Sequence, residues 1–218
     1  MKSSFFALIF LLSASAAGAQ YYGQFRYKPA VGGGEPTTVC AFVTSGVNDT
    51  EEFVSDGSCS NNSSDLELGH DASERQWVGV RFTGMNIPAG ATITEAKIQW
   101  EVDNTKKSDP CSVDFYAEEG VNPADFTSEA NNCLTSRDRT ETKATWTLTG
   151  QSWTPVGGRG ADQLSVNFSS VIQEVVDHPS YQSTWAVVVL IEGIQGEREA
   201  ESYEGSTTAV ELCVTYTN

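Results

Sequence analysis

Histidine is nearly missing from this chain, with His70 and His178 the two present in 218 residues. His70 lies in the polar stretch GHDASER, and His178 closes a helical pattern, where an imidazolium favours the helix dipole. Both read as structural or surface residues. No G-x-S-x-G, H-E-x-x-H or phosphate-binding glycine loop occurs, which removes the common hydrolase, metalloprotease and nucleotide-binding signatures. The reading is a protein that is not an enzyme; only a glycosidase-type carboxylate pair, whose separation is set in space, escapes a motif search.

Basic residues are scarce as well, 13 Lys and Arg against 29 Asp and Glu, for a formal net charge of -16. Such a surface repels nucleic acid and anionic lipid, so neither is an expected partner. What acidity offers instead is solubility and attraction for cations or a basic segment. C-x-x-C is absent, which argues against a zinc ribbon or a thioredoxin-like site. Beyond the first dozen residues no apolar run approaches the length of a membrane span, and no membrane insertion is expected.

What is present starts at the N-terminus. Met1 to Ala19 has one lysine, an apolar run from Phe5 to Leu12 and the small-residue end Ala17-Gly18-Ala19, the pattern of a secretory signal. The expected divisions are therefore 1–19 as signal peptide, 20–36 as an N-terminal strand with a Gly/Pro-rich tether, and 37–218 as one domain, secreted to the extracellular side. In QYYGQFRYKPAVGGGE the residues Tyr21, Gly23, Phe25 and Tyr27 alternate with Tyr22, Gln24, Arg26 and Lys28, so an extended chain has an aromatic face and a mostly polar, basic one. An unpaired strand of this kind is a liability. It is a disordered leader, a strand docked on its own body, or one given to a neighbouring copy. The tether Ala30 to Pro36 spans at most roughly 24 Å, and a head-to-tail contact that does not close grows a filament.

Period-two alternation recurs along the rest of the chain. Val78, Val80 and Phe82 share a face, as do Ala96, Ile98, Trp100 and Val102 against Lys97, Gln99, Glu101 and Asp103, then Val113 with Phe115. Further strands are predicted at Val39 to Val43, Ala144 to Leu148, Trp185 to Ile191, Glu199 to Tyr203 and Val210 to Tyr216, with WAVVVLIEG covered on both faces. FSSVIQEVVDHP alone has a helical period, with Val171, Ile172, Val175 and Val176 on one stripe and Ser170 and Gln173 spaced as a capping box. Many short strands and one short helix predict an all-β fold, an antiparallel jelly-roll β-sandwich with an N-terminal extension strand.

Cys40, Cys59, Cys111, Cys133 and Cys213 fit an oxidising compartment. Proximity in sequence favours bridges Cys40–Cys59 and Cys111–Cys133. Cys213 then remains as a free thiol or an intermolecular bridge, or pairs with Cys40 instead. Trp77, opposite in phase to Val78, and Trp153, beside PVGGRG, are candidates for an exposed sugar-stacking platform, with packing as the alternative. Sequons place glycosylation candidates at Asn48, Asn61, Asn62 and Asn167.

FTGMNIPAGATITEAKIQWEVDN resembles the IPxGATITxAxIxF stretch of a large group of secreted bacterial β-sandwich domains. SWTPVGGRGADQLSVNFSSVIQEVVDHPSYQSTWAVVVLIEG and EREAESYEG look like their closing half, so the resemblance runs from about Asp65 to Tyr216. These domains are similar to carbohydrate-binding jelly rolls named for a DNRLRE motif, which is itself missing here, and to jelly-roll protomers of glycosylated extracellular fibrils. The resemblance implies a structural subunit whose partners are copies of itself, or a module that binds polysaccharide. It also implies calcium as a cofactor. Asp65 and Glu67 share a strand face, Glu199 and Glu201 share another, and Glu204 follows in a loop; if those strands are neighbours, Asp65, Glu67, Glu201 and Glu204 gather a hard cation. The alternative is a solvated acidic face.

Overall fold

The computed structural model describes residues 34–127 and 131–218. The signal sequence and the ribbon residues Tyr21, Tyr22, Phe25, Arg26, Tyr27 and Lys28 lie outside the described residues. Ten strands form two antiparallel sheets: β1 (Thr37–Phe42), β2 (Asp49–Phe53), β3 (Cys59–Ser60), β4 (Asp65–Asp71), β5 (Glu74–Phe82), β6 (Thr92–Gln99), β7 (Val102–Ala117), β8 (Ala144–Leu148), β9 (Val187–Glu201) and β10 (Glu211–Thr217), with one α-helix, α1 (Ser169–Asp177). The smaller sheet has the order β1-β10-β6 and the larger β3-β2-β5-β4-β9-β7-β8, with β5 also pairing with β9.

Alternation decides the layers. On β10, Leu212, Val214 and Tyr216 are buried while Glu211, Cys213, Thr215 and Thr217 are half-buried, and β6 buries Ile93, Ala96 and Ile98 in the same way. These residues meet Val78, Val80, Phe82, Val113, Phe115, Val189 and Ile191 of the larger sheet in one core, which makes the fold a β-sandwich. The predicted strands at 185–191 and 199–203 are parts of one strand, β9. It runs antiparallel to β5 with its first half and to β4 with its second, so β4 and β5 lie end to end along one side of it. At the handover Gly193 lies against the chain of β4: a Cβ there would fall 1.9 Å from the Gly69 carbonyl oxygen.

β9 is covered on both faces, as predicted. Its outer residues Val188 and Leu190 pack with Trp77, Phe126 and Leu134 in a second cluster. Phe126 and Leu134 provide that cover, and the segment around Leu134 is held down by the bridge Cys59–Cys133 and by the buried carboxylate of Glu52, which accepts the backbone N–H groups of Leu134 (2.6 Å) and Thr135 (2.9 Å). The second bridge, Cys40–Cys213, joins residues directly opposite each other on β1 and β10. The pairing Cys40–Cys59 with Cys111–Cys133 is therefore corrected: strand register brings Cys40 to Cys213, 173 positions away, and the turn that contains Cys133 folds back onto Cys59, 74 positions away. Cys111 is a free, buried thiol that donates to the Leu68 carbonyl and is pushed up to about 12 by burial.

α1 closes one end of the core through Val171, Ile172, Val175 and Val176. Its start is not a capping box. Asn167 accepts the Ser169 N–H, and Gln173 turns away to accept the Ile93 N–H and donate to Ala91.

Candidate functional site

The smaller sheet has two edges, and they are finished differently. On β6 the outward backbone groups are met by residues 163–168: Ser165 and Phe168 donate to the carbonyls of Ile98 and Ala96, while Ala96 and Ile98 donate to the side chains of Asn167 and Ser165. Among the described residues β1 has no such cover, and no backbone hydrogen bond reaches its outer edge. The core is open at the same place. Val39 and Ala41 pair with Val214 and Leu212 and so face the core. Val214 and Leu212 are fully buried, yet Val39 and Ala41 are only half-buried. By contrast, β8, at one edge of the larger sheet, has Trp146 and Leu148 fully inside.

Just before β1, Gly34 donates to the carbonyl of Asn218 at the end of β10. The bridge Cys40–Cys213 fixes β1 to β10 on the outer face. What results is a pinned edge strand with a half-covered apolar row and, among the described residues, an unsatisfied ladder, a template for one more strand.

Acidic residues gather elsewhere, on the outer face of the larger sheet. β4 and β9 are neighbours, with Asp65 opposite Glu201 and Glu67 opposite Glu199. The four expected ligands are not brought together, however. Carboxylate oxygens of Asp65, Asp103 and Glu199 lie within 4.8 Å of one another, so Asp103 and Glu199 stand where Glu201 and Glu204 were expected. Glu67 bonds instead to Glu51, whose Oε1 also accepts the Glu67 N–H at 2.6 Å. Glu204 is exposed and raises the pKa of Asp49. Lys106 neutralises part of the band, bonding Glu197 and lying 3.2 Å from Glu199.

Crowding and burial shift these acids one way. Burial pushes Asp49 up to about 7, against the N–H of Tyr203 that it accepts at 2.8 Å. Glu51, Glu67, Asp103, Glu199 and Glu201 are all raised, each first by burial. Such a band holds its protons more tightly than free carboxylates do, and the trio offers three oxygens of the kind a hard cation prefers.

The two aromatic candidates are not platforms. Trp77 is 2% exposed beneath Phe126 and Leu134, with the Arg139 guanidinium 5.0 Å from its ring centre, and Trp153 is 1% exposed with its indole N–H on the Glu199 carbonyl. Packing, the alternative for both rings, is what the structure has, because a sequence does not show what lies over a sheet. His178 bonds the Ser180 N–H through Nδ1 beside a shallow, acidic cleft of about 430 Å³ that Glu174 and Asp177 also line.

No protein-family model matches the chain, and neither does any curated protein.

Proposed function

We propose that this protein is a secreted, non-catalytic structural subunit of an extracellular fibril or matrix, which assembles head to tail when the Tyr21 to Lys28 ribbon of one copy occupies the free edge of β1 in the next. The observation that carries this reading is the half-open row Val39 and Ala41 beside fully buried Leu212 and Val214, at an edge with no ladder partner among the described residues. One added strand completes both the ladder and the core. An alternating aromatic ribbon has the pattern to do so, with Tyr21, Phe25 and Tyr27 inward and Arg26 and Lys28 turned to the surface of an acidic body. The two bridges fit an oxidising compartment.

Deletion of residues 20–30 tests the reading. The intact chain is expected to form filaments or oligomers by electron microscopy and light scattering, and the truncated chain to stay monomeric and bind a peptide of residues 20–31. Equal assembly by both forms, or a monomeric intact chain, overturns it.

A calcium-assisted carbohydrate-binding module is the second reading. The trio Asp65, Asp103 and Glu199 favours it, while the burial of Trp77 and Trp153 removes its aromatic platform. A glycan array with and without chelator, beside calorimetry with calcium alone, decides it, and silence in all arms ends it.

A further inference from the structure

Among the described residues the structure separates the four sequons by whether their reactive groups are free. N-glycosylation needs the side-chain nitrogen of asparagine and the hydroxyl two residues on, both reachable by an enzyme. At Asn48-Asp49-Thr50 neither is. Asn48 is 5% exposed, its Nδ2 donates to Ser45 (3.0 Å) and its Oδ1 accepts from Arg81 (2.9 Å). Thr50 is 2% exposed and its hydroxyl donates to the Ser60 carbonyl. At Asn61-Asn62-Ser63 the Asn61 Nδ2 donates to the Phe126 carbonyl (2.9 Å), and the Ser63 hydroxyl donates to Asp65 (2.6 Å).

Asn167-Phe168-Ser169 is exposed at its asparagine but fully engaged. Asn167 Nδ2 donates to Thr94, its Oδ1 accepts the N–H groups of Ala96 and Ser169, and Phe168 is completely buried against Phe115. A glycan there would free the β6 edge and the helix start together.

Asn62-Ser63-Ser64 differs in that both of its reactive groups are free. It lies in the turn between β3 and β4, Asn62 and Ser64 are exposed, and neither the Asn62 Nδ2 nor the Ser64 hydroxyl has a hydrogen-bond partner among the described residues; Asn62 only accepts, from Ser60. We infer that Asn62 is the glycan acceptor of this chain. The donor is a lipid-linked oligosaccharide diphosphate presented by a host transferase. Asn62 Nδ2 forms a bond to the sugar C1 as the C1–O bond to the lipid diphosphate breaks, and Nδ2 loses one proton.

The test is the full chain secreted from a host with N-glycosylation machinery, alongside a control protein bearing a known sequon. Peptide mapping after enzymatic glycan release is expected to find asparagine converted to aspartate at 62 and not at 48, 61 or 167. Asn62→Gln and Ser64→Ala, both at exposed positions, are expected to abolish the glycan while secretion continues. A glycan on any other sequon overturns the inference, as does an unchanged glycan on Asn62→Gln or a bare Asn62 beside a glycosylated control.

Discussion

At the scale of single residues, the acids of β2 explain why that strand was invisible in the sequence. DTEEF has three carboxylates in five residues and reads as a loop. Yet each of the three accepts a backbone N–H from a distant segment: Asp49 from Tyr203, Glu51 from Glu67, Glu52 from Leu134 and Thr135. They are caps for other strands and turns, and that role is non-local, so no spacing announces it. A measurable consequence follows from Asp49. Its folded pKa of about 7 exceeds its ordinary 3.8, so the folded form holds a proton that the unfolded form has lost. Stability therefore falls as pH rises through 7 and is recovered on acidification toward 4. Asp49→Asn keeps an oxygen for Tyr203 and removes the titration. It is expected to be more stable than the parent at pH 8 by about 2 kcal/mol and to have a flatter melting profile between pH 5 and 8, measured by calorimetry.

Trp77→Ala belongs to the same scale. It empties a packed site between Leu190, Phe126 and Arg139, and a loss of about 3–5 kcal/mol in denaturant unfolding is expected. An unchanged midpoint would put the ring back in solvent.

Elements were legible where a strand has one wet face. β6 and β10 alternate cleanly because one side meets the core and the other meets water, and α1 shows its stripe for the same reason. Legibility failed where an element is covered twice or where partners come from register. Trp77 is hidden by Phe126 and Leu134, and Cys40 meets Cys213 because β1 pairs with β10. Asp103 joined the acidic trio through the turn from β6 into β7, which the alternation pattern does not contain. The edge of β1 supplies its own prediction. Ala41→Glu places a charge on the half-open row without disturbing a fully buried side chain. Assembly of the intact chain is expected to stop, while circular dichroism and the melting midpoint stay within about 1 kcal/mol of the parent. Filaments from this variant would show that the edge is not used.

At the scale of the molecule, the bridges matter because they clasp distant parts. Cys40 and Cys213 lie 173 positions apart, so removing that link frees nearly the whole sandwich in the unfolded chain. The double change Cys40→Ser with Cys213→Ser is expected to cost about 2–5 kcal/mol in denaturant unfolding, with the larger share if the entropy of the loop dominates. It should also loosen β1, so that the strand edge is offered less firmly. The two effects separate by experiment, since one is read from unfolding and the other from polymer yield at matched fractions of folded protein.

The fifth cysteine closes the account. Cys111 lies sealed between the sheets with its hydrogen on Leu68, so a thiol reagent in solution meets it only when the sandwich parts. Labelling of this one sulfur would count openings directly, molecule by molecule. The same seclusion keeps a free sulfur away from two finished cystines, against which an exposed thiolate would exchange.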